Sequence, residues 1–197
     1  MLVRRTGAST GRGRAVGDVV LERAVMVITG VMASGKSTVA QLLAERLPRA
    51  VHVRGDVFRR MLVSGRREPV PRHGDEAVEQ LRPRYRVSAS TADLYAAAGW
   101  TAVVQDVVLG EHLEPYLAAI ATRPLYLVVL APSRDAVAER EAARAKTGYG
   151  SWTVGGLDQV LREQTPHIGL WLDSSAQTPD ETVDAILDRL DEARLKD

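Results

Sequence analysis

Nine residues of this chain have the types and spacing to hold a polyphosphate. Gly30-Val31-Met32-Ala33-Ser34-Gly35-Lys36-Ser37-Thr38 satisfies the pattern G-x-x-x-x-G-K-[ST] at every specified position. A glycine-rich turn lets successive backbone N–H groups face one anion, so Gly30, Ala33, Ser34, Gly35 and Thr38 are expected to cradle phosphates. The Lys36 ammonium is long enough to reach β- and γ-phosphates, and the Ser37 hydroxyl is a hard oxygen ligand for Mg²⁺.

Two carboxylates and a group of cations could complete a phosphoryl-transfer site. Asp56 follows the short run Val51-His52-Val53-Arg54-Gly55 and opens the next helical stretch. There it can accept the proton of a substrate hydroxyl, orient that hydroxyl, or cap the helix, and these roles are compatible. Asp106 closes the apolar run Thr101-Ala102-Val103-Val104-Gln105, where an acid can hold Mg²⁺ beside Ser37 or touch substrate. Gln105, polar in that run, is expected to face the cleft or pair with backbone.

Arg140 and Arg144 are four apart and share a helical face, and with Lys146 they precede Thr147-Gly148-Tyr149-Gly150-Ser151. Cations on such a segment can close over a transferred phosphoryl group and exclude water. Arg59 and Arg60, one turn past Asp56, are the candidates for binding an acceptor. Arg82, Arg84 and Arg86 are read as solvated, because arginine is the default cation here, with three lysines in the whole chain and no asparagine. The four histidines show no metal-ligand spacing, and Tyr85, Tyr95, Trp100 and Trp171 read as packing residues.

The elements that must position these groups alternate. Apolar runs predict strands over 24–29, 51–53, 101–105, 125–131 and 168–172. Helical periods fall near 36–47, 56–64, 75–98, 111–122, 133–145, 156–164 and 179–194. This βαβα order is the signature of an α/β fold with a parallel sheet between helical layers. Thr178-Pro179-Asp180-Glu181 has the form of a capped helix start. Gly65–Arg86 and Ala145–Gly156 lie outside the minimal plan and are expected to cover substrates.

At 197 residues the chain is expected to form one domain, residues 21–197. Residues 1–20 read as a disordered leader, with no apolar segment of a secretory signal in them. A net charge of +1 gives no general pull towards nucleic acid or anionic membrane. The absence of cysteine excludes disulfides and thiolate metal sites, and a reducing cytoplasm is the default compartment. No apolar run approaches the roughly 20 residues that span a bilayer.

Taken together, the chain resembles the small P-loop kinases of the adenylate-kinase-like group, nearest to its chloramphenicol-phosphotransferase-like and gluconate-kinase-like branch. Gly30–Thr38, Gly55-Asp56, Gln105-Asp106 and Arg140/Arg144 carry the resemblance, with Asp173–Glu181 similar to the stretch that borders adenine. It covers residues 24–195 and implies a three-layer P-loop NTPase fold: five parallel strands in the order 2-3-1-4-5, with a lid over about 140–156 and an acceptor region over about 56–100. It also implies ATP and Mg²⁺ as cofactors and transfer to a hydroxyl of a small molecule, a metabolite or an antibiotic. Lys36, Asp56, Arg140 and Arg144 would then be catalytic, Arg140 would contact nucleotide, and Asp56, Arg59, Arg60 and Asp106 would contact acceptor.

Other readings use the same P-loop. A nucleoside monophosphate kinase has the right size, but a phosphate acceptor chiefly needs an arginine clamp, whereas Asp56 suits a hydroxyl. A nucleotide-binding switch or assembly factor would leave Asp56 and the lid arginines structural. A GTPase should carry an Asn-Lys-x-Asp motif, which a chain without asparagine cannot supply. ABC and AAA+ motors need larger domains and further signatures. Oligomeric state is not legible from the residues.

Overall fold

In the computed structural model, which describes residues 21–67, 75–143 and 153–196, five apolar runs form one parallel sheet. The strands are β1 (Val25–Gly30), β2 (Ala50–Arg54), β3 (Thr101–Gln105), β4 (Leu125–Leu130) and β5 (Leu170–Leu172), in the order β2-β3-β1-β4-β5. That is the order the resemblance implies. β1, β3 and β4 are buried at every position, as strands covered on both faces must be.

Alternation along β1 divides the core. Val25 and Val27 face a layer built from α3 (Asp75–Ala97), α4 (Leu113–Ala118), α5 (Arg134–Ala142) and α6 (Val154–Gln159). Met26 and Ile28 face α1 (Lys36–Arg46), α7 (Pro179–Asp188) and α8 (Leu190–Ala193) on the other side. A short α2 (Gly55–Arg60) follows β2 directly. With strands parallel and P-loop, Asp56 and Asp106 all following strand ends, the candidate chemistry gathers at the carboxyl end of the sheet.

The elements differ from the expectation in instructive places. The stretch 156–164 is two geometries, α6 and then a π turn at Val160–Gln164, and 111–122 begins as a 3₁₀ turn at Gly110–His112. The helix expected over 179–194 breaks at Arg189 (φ −116°), so that Arg194 can bridge Tyr126 and the Leu195 amide can reach Leu125. Thr178 and Glu181 form the reciprocal cap that their spacing predicts. The helix expected over 75–98 is α3, which takes up the second half of the Gly65–Arg86 stretch and runs through Pro83. That residue lies on the exposed side, where the carbonyl it disables can turn to water. The 1–20 leader and most of the lid lie outside the described residues. Among the described residues, no helix is long and apolar enough to cross a membrane.

His52, on edge strand β2, pairs with Gln41 through Nδ1 at 2.9 Å, while its buried Nε2 has no partner among the described residues. Burial, and secondarily Arg54, holds its pKa below the ordinary 6.5. The folded protein thus takes up this proton less readily than the unfolded chain. Its contribution to stability is intact above pH 6.5 and is lost as the pH falls below that value. Urea unfolding at pH 7.5 and 5.5 is expected to show a smaller pH effect in His52→Gln than in the parent. Identical pH effects would mean that His52 is solvated in both states.

Candidate active site

The P-loop is shaped by contacts that its glycines permit. Gly30 has φ +144°, and a β-carbon there would overlap the carbonyl of Leu130 on the neighbouring strand β4. Ala33 and Gly35 also have positive φ, turning the chain so that α1 begins at Lys36 with its first amides at the loop. Lys36 is 6% exposed and folds into the loop, donating from Nζ to Val31 O at 2.5 Å and to Ser34 Oγ at 3.4 Å. The Thr29 hydroxyl ties β1 to the segment after β3, donating to Val108 O at 2.9 Å and accepting from its amide at 3.0 Å.

The two residues that close β3 have different partners. Gln105 faces the cleft, and its Oε1 accepts from Ser37 Oγ at 3.1 Å. Asp106 is 1% exposed, and both its oxygens are gripped by Arg84 from α3, one of them through Nε at 2.9 Å. Asp106 Oδ1 also accepts from the Val107 amide at 2.7 Å. Ser37 therefore meets Gln105 rather than Asp106 in this structure, and Arg84, read from sequence as solvated, is a buried counter-ion. Burial, and secondarily Arg59, lowers the pKa of Arg84, but a guanidinium beside a carboxylate keeps its charge. Tyr85, pushed up to about 12 by burial, stays protonated and donates to Val107 O at 2.9 Å. Nothing local marks Arg84: only the packing of α3 on β3 brings it to a residue 22 positions away.

Gly55 explains the Gly-Asp pair. A β-carbon there would overlap the Asp106 carboxylate. Gly55→Ala must push Asp106 off Arg84, and disturbing a buried ion pair is expected to cost on the order of 3 kcal/mol. Chemical denaturation reads this directly, and an unchanged midpoint would show that the carboxylate has room to move.

Asp56 opens α2 with its carboxylate split between two environments. Oδ2 accepts from Arg60 Nη2 at 2.7 Å. Oδ1 is buried and accepts no hydrogen bond among the described residues, with Arg54 Nε 3.5 Å away. Arg59 donates to Arg67 O at 3.4 Å, joining α2 to the turn before α3. There Gln80 holds both ends of the turn, donating to Gly65 O and accepting from the Arg67 amide, each at 2.9 Å. A groove of about 310 Å³ lies between them, lined by Gly65, Arg67, Glu79, Gln80 and Pro83.

On the opposite flank, Arg140 donates to the carbonyls of Ser174 and Ser175, at 2.7 and 3.3 Å, latching α5 to the loop after β5. It meets the stretch similar to an adenine border, not the P-loop. In that loop the Ser175 hydroxyl and amide hold the Asp173 carboxyl below the usual carboxylate range. Arg144 and Lys146 lie outside the described residues.

With this geometry in place, relatives can be compared. A family model described as an AAA domain matches residues 25–166, from β1 through the π turn. The chain belongs to that family. A UPF0200 protein of Aeropyrum pernix is 33% identical to it over 135 residues, 67% of this chain and 71% of that protein. An unliganded sugar kinase from Janibacter sp. HTCC2649 shares the fold with a TM-score of 0.63 at 21% identity, over 87% of this chain and 95% of that one. A gluconokinase from Sinorhizobium meliloti 1021 follows with a TM-score of 0.59 at 23% identity, over 85% and 93%. The tunicamycin resistance protein of Deinococcus radiodurans has a TM-score of 0.62 at 15% identity, over 88% and 99%. The family is thus one of P-loop nucleotide-binding domains, and the kinase-like architecture implied by the sequence is borne out as a fold. The family description carries the AAA name although a motor was the poorer fit; two of these three solved structures are described as kinases.

Proposed function

We propose that this protein is an ATP-dependent phosphotransferase that moves the γ-phosphate to a hydroxyl of a small acceptor. One observation favours a hydroxyl above all. Asp56 Oδ1 is screened from solvent yet accepts no hydrogen bond among the described residues, so a proton acceptor stands ready just past the end of β2. Arg54 and Arg60 are drawn to that same carboxylate rather than forming a clamp for a phosphate acceptor.

In this reading the Gly30–Thr38 loop takes the phosphates on its amides, and Lys36 exchanges Val31 O for the β/γ-oxygens. Asp56 receives the hydroxyl proton as the oxygen attacks phosphorus. Arg59 and the Gln80-held turn shape the acceptor side. Arg140, already on the 174–175 carbonyls, borders the base. Arg144 and Lys146 are proposed as the lid cations.

The oxygen donors present suit Mg²⁺: the Ser37 hydroxyl and Gln105 Oε1 meet at the P-loop, and no cluster of three acidic or histidine ligands occurs among the described residues. Ser37, helped by Gln105, would hold an ion brought by the nucleotide. Asp106 would serve it only after release from Arg84. When bound, Mg²⁺ neutralises charge on the phosphate oxygens.

The test is ADP release from ATP-Mg²⁺ with a panel of hydroxylated metabolites and antibiotics, nucleoside monophosphates included. Stimulation by an alcohol is expected. Stimulation by monophosphates alone would install the nucleotide-kinase reading, and slow hydrolysis indifferent to the panel would install the switch.

A further inference from the structure

We propose that Arg134 and Arg162, gripped by one buried carboxylate, form an oxyanion site for the terminal phosphate of the nucleotide. The proposal rests on the nucleotide reading above and adds to it two arginines that the sequence motifs do not mark. Asp158 on α6 is 1% exposed and accepts from Arg134 Nε at 2.5 Å and from Arg162 Nε at 2.9 and 3.1 Å. Arg162 Nη2 also donates to Pro132 O at 2.9 Å.

Three features separate this node from a simple brace between helices. One guanidinium would neutralise Asp158, and the second faces only the more distant carboxylates of Glu163 and Asp173. Both arginines are gripped through Nε, the inner nitrogen, and their side chains remain 57% and 42% exposed. Among the described residues, the terminal nitrogens of Arg134 and one of those of Arg162 carry no hydrogen bond, which leaves forked donors of the kind that phosphate oxygens match.

Position supports the same ligand. Arg134 is the first residue of α5, just past the end of β4, and Arg162 is anchored on Pro132 in that connection. Two residues earlier, the Leu130 carbonyl lies against Gly30, where the P-loop begins. The node therefore lies at the same end of the sheet as the phosphate loop, after the strand that pairs with β1. Arg162 lies in the π turn, a geometry concentrated at functional sites. The charge competing for Arg134 is Glu163, which is tied to Gln159 at 2.8 Å.

Calorimetric titration of the full chain with Mg-ATP and Mg-ADP tests the assignment. In Arg134→Met, an exposed substitution that leaves Arg162 on Asp158, ATP affinity should fall about tenfold or more while ADP affinity holds within about twofold. Glu163→Gln, which removes the competing charge, should tighten ATP and leave ADP unchanged. Equal losses for both nucleotides, or none for ATP in Arg134→Met, would reduce the node to a structural brace. A parent protein that binds neither nucleotide would sink the P-loop reading itself, and this proposal with it.

Discussion

Lys36→Met is expected to lose turnover by about 10²–10³-fold, the cost of removing one preorganised charge-stabilising donor. The ammonium is nearly buried, and Val31 O and Ser34 Oγ hold it at the loop where phosphates would lie. Methionine keeps much of the apolar stem and removes the charge, so β1 and α1 should pack as before. The folded variant should therefore keep its melting temperature without ligand but lose most of the nucleotide-induced rise. A ligand at 100 times its Kd stabilises a protein by about 2.7 kcal/mol. Parent-like binding and turnover in the variant would remove Lys36 from the chemistry.

Asp56→Asn should leave ATP affinity unchanged and reduce acceptor-dependent transfer by about 10²–10⁴-fold, the usual contribution of a general base. Asparagine keeps the shape and an oxygen at Oδ1 but cannot take a proton. What the fold loses is the pairing with Arg60 and Arg54 on a half-exposed carboxylate, worth at most about 1 kcal/mol. Single-turnover transfer beside ATP titration separates the two effects. The structure already denies Asp56 the capping role, since Arg54 is the N-cap of α2 and no side chain caps it. Unchanged transfer would therefore leave Asp56 only as the ion-pair partner of Arg54 and Arg60.

Local patterns were legible in the sequence, and tertiary pairings were not. The P-loop is contiguous, and the conformation it needs is encoded by its own glycines. Apolar runs announce the buried parallel strands β1, β3 and β4, and the Thr178–Glu181 spacing announces a helix start. Asp56 and Asp106 could be located because they follow strands. Their partners could not: Arg84 is one arginine among many, and its burial arises only when α3 packs on β3. Asp158 was invisible for the same reason, since Arg134 reaches it across 24 residues. The helix expected over 75–98 forms as α3 even though Pro83 lies inside it. Arg140 shares the expected helix face, yet the carbonyls after β5 claim it first.

The chemical identity of the product tests the central proposal most directly. Mg-ATP and the alcohol selected by the panel would be incubated with the protein and followed by ³¹P NMR. The γ-phosphate signal should give way to one new phosphomonoester resonance, formed in step with ADP and dependent on the acceptor. A phosphoanhydride product from a monophosphate acceptor, or inorganic phosphate alone, would contradict transfer to a hydroxyl.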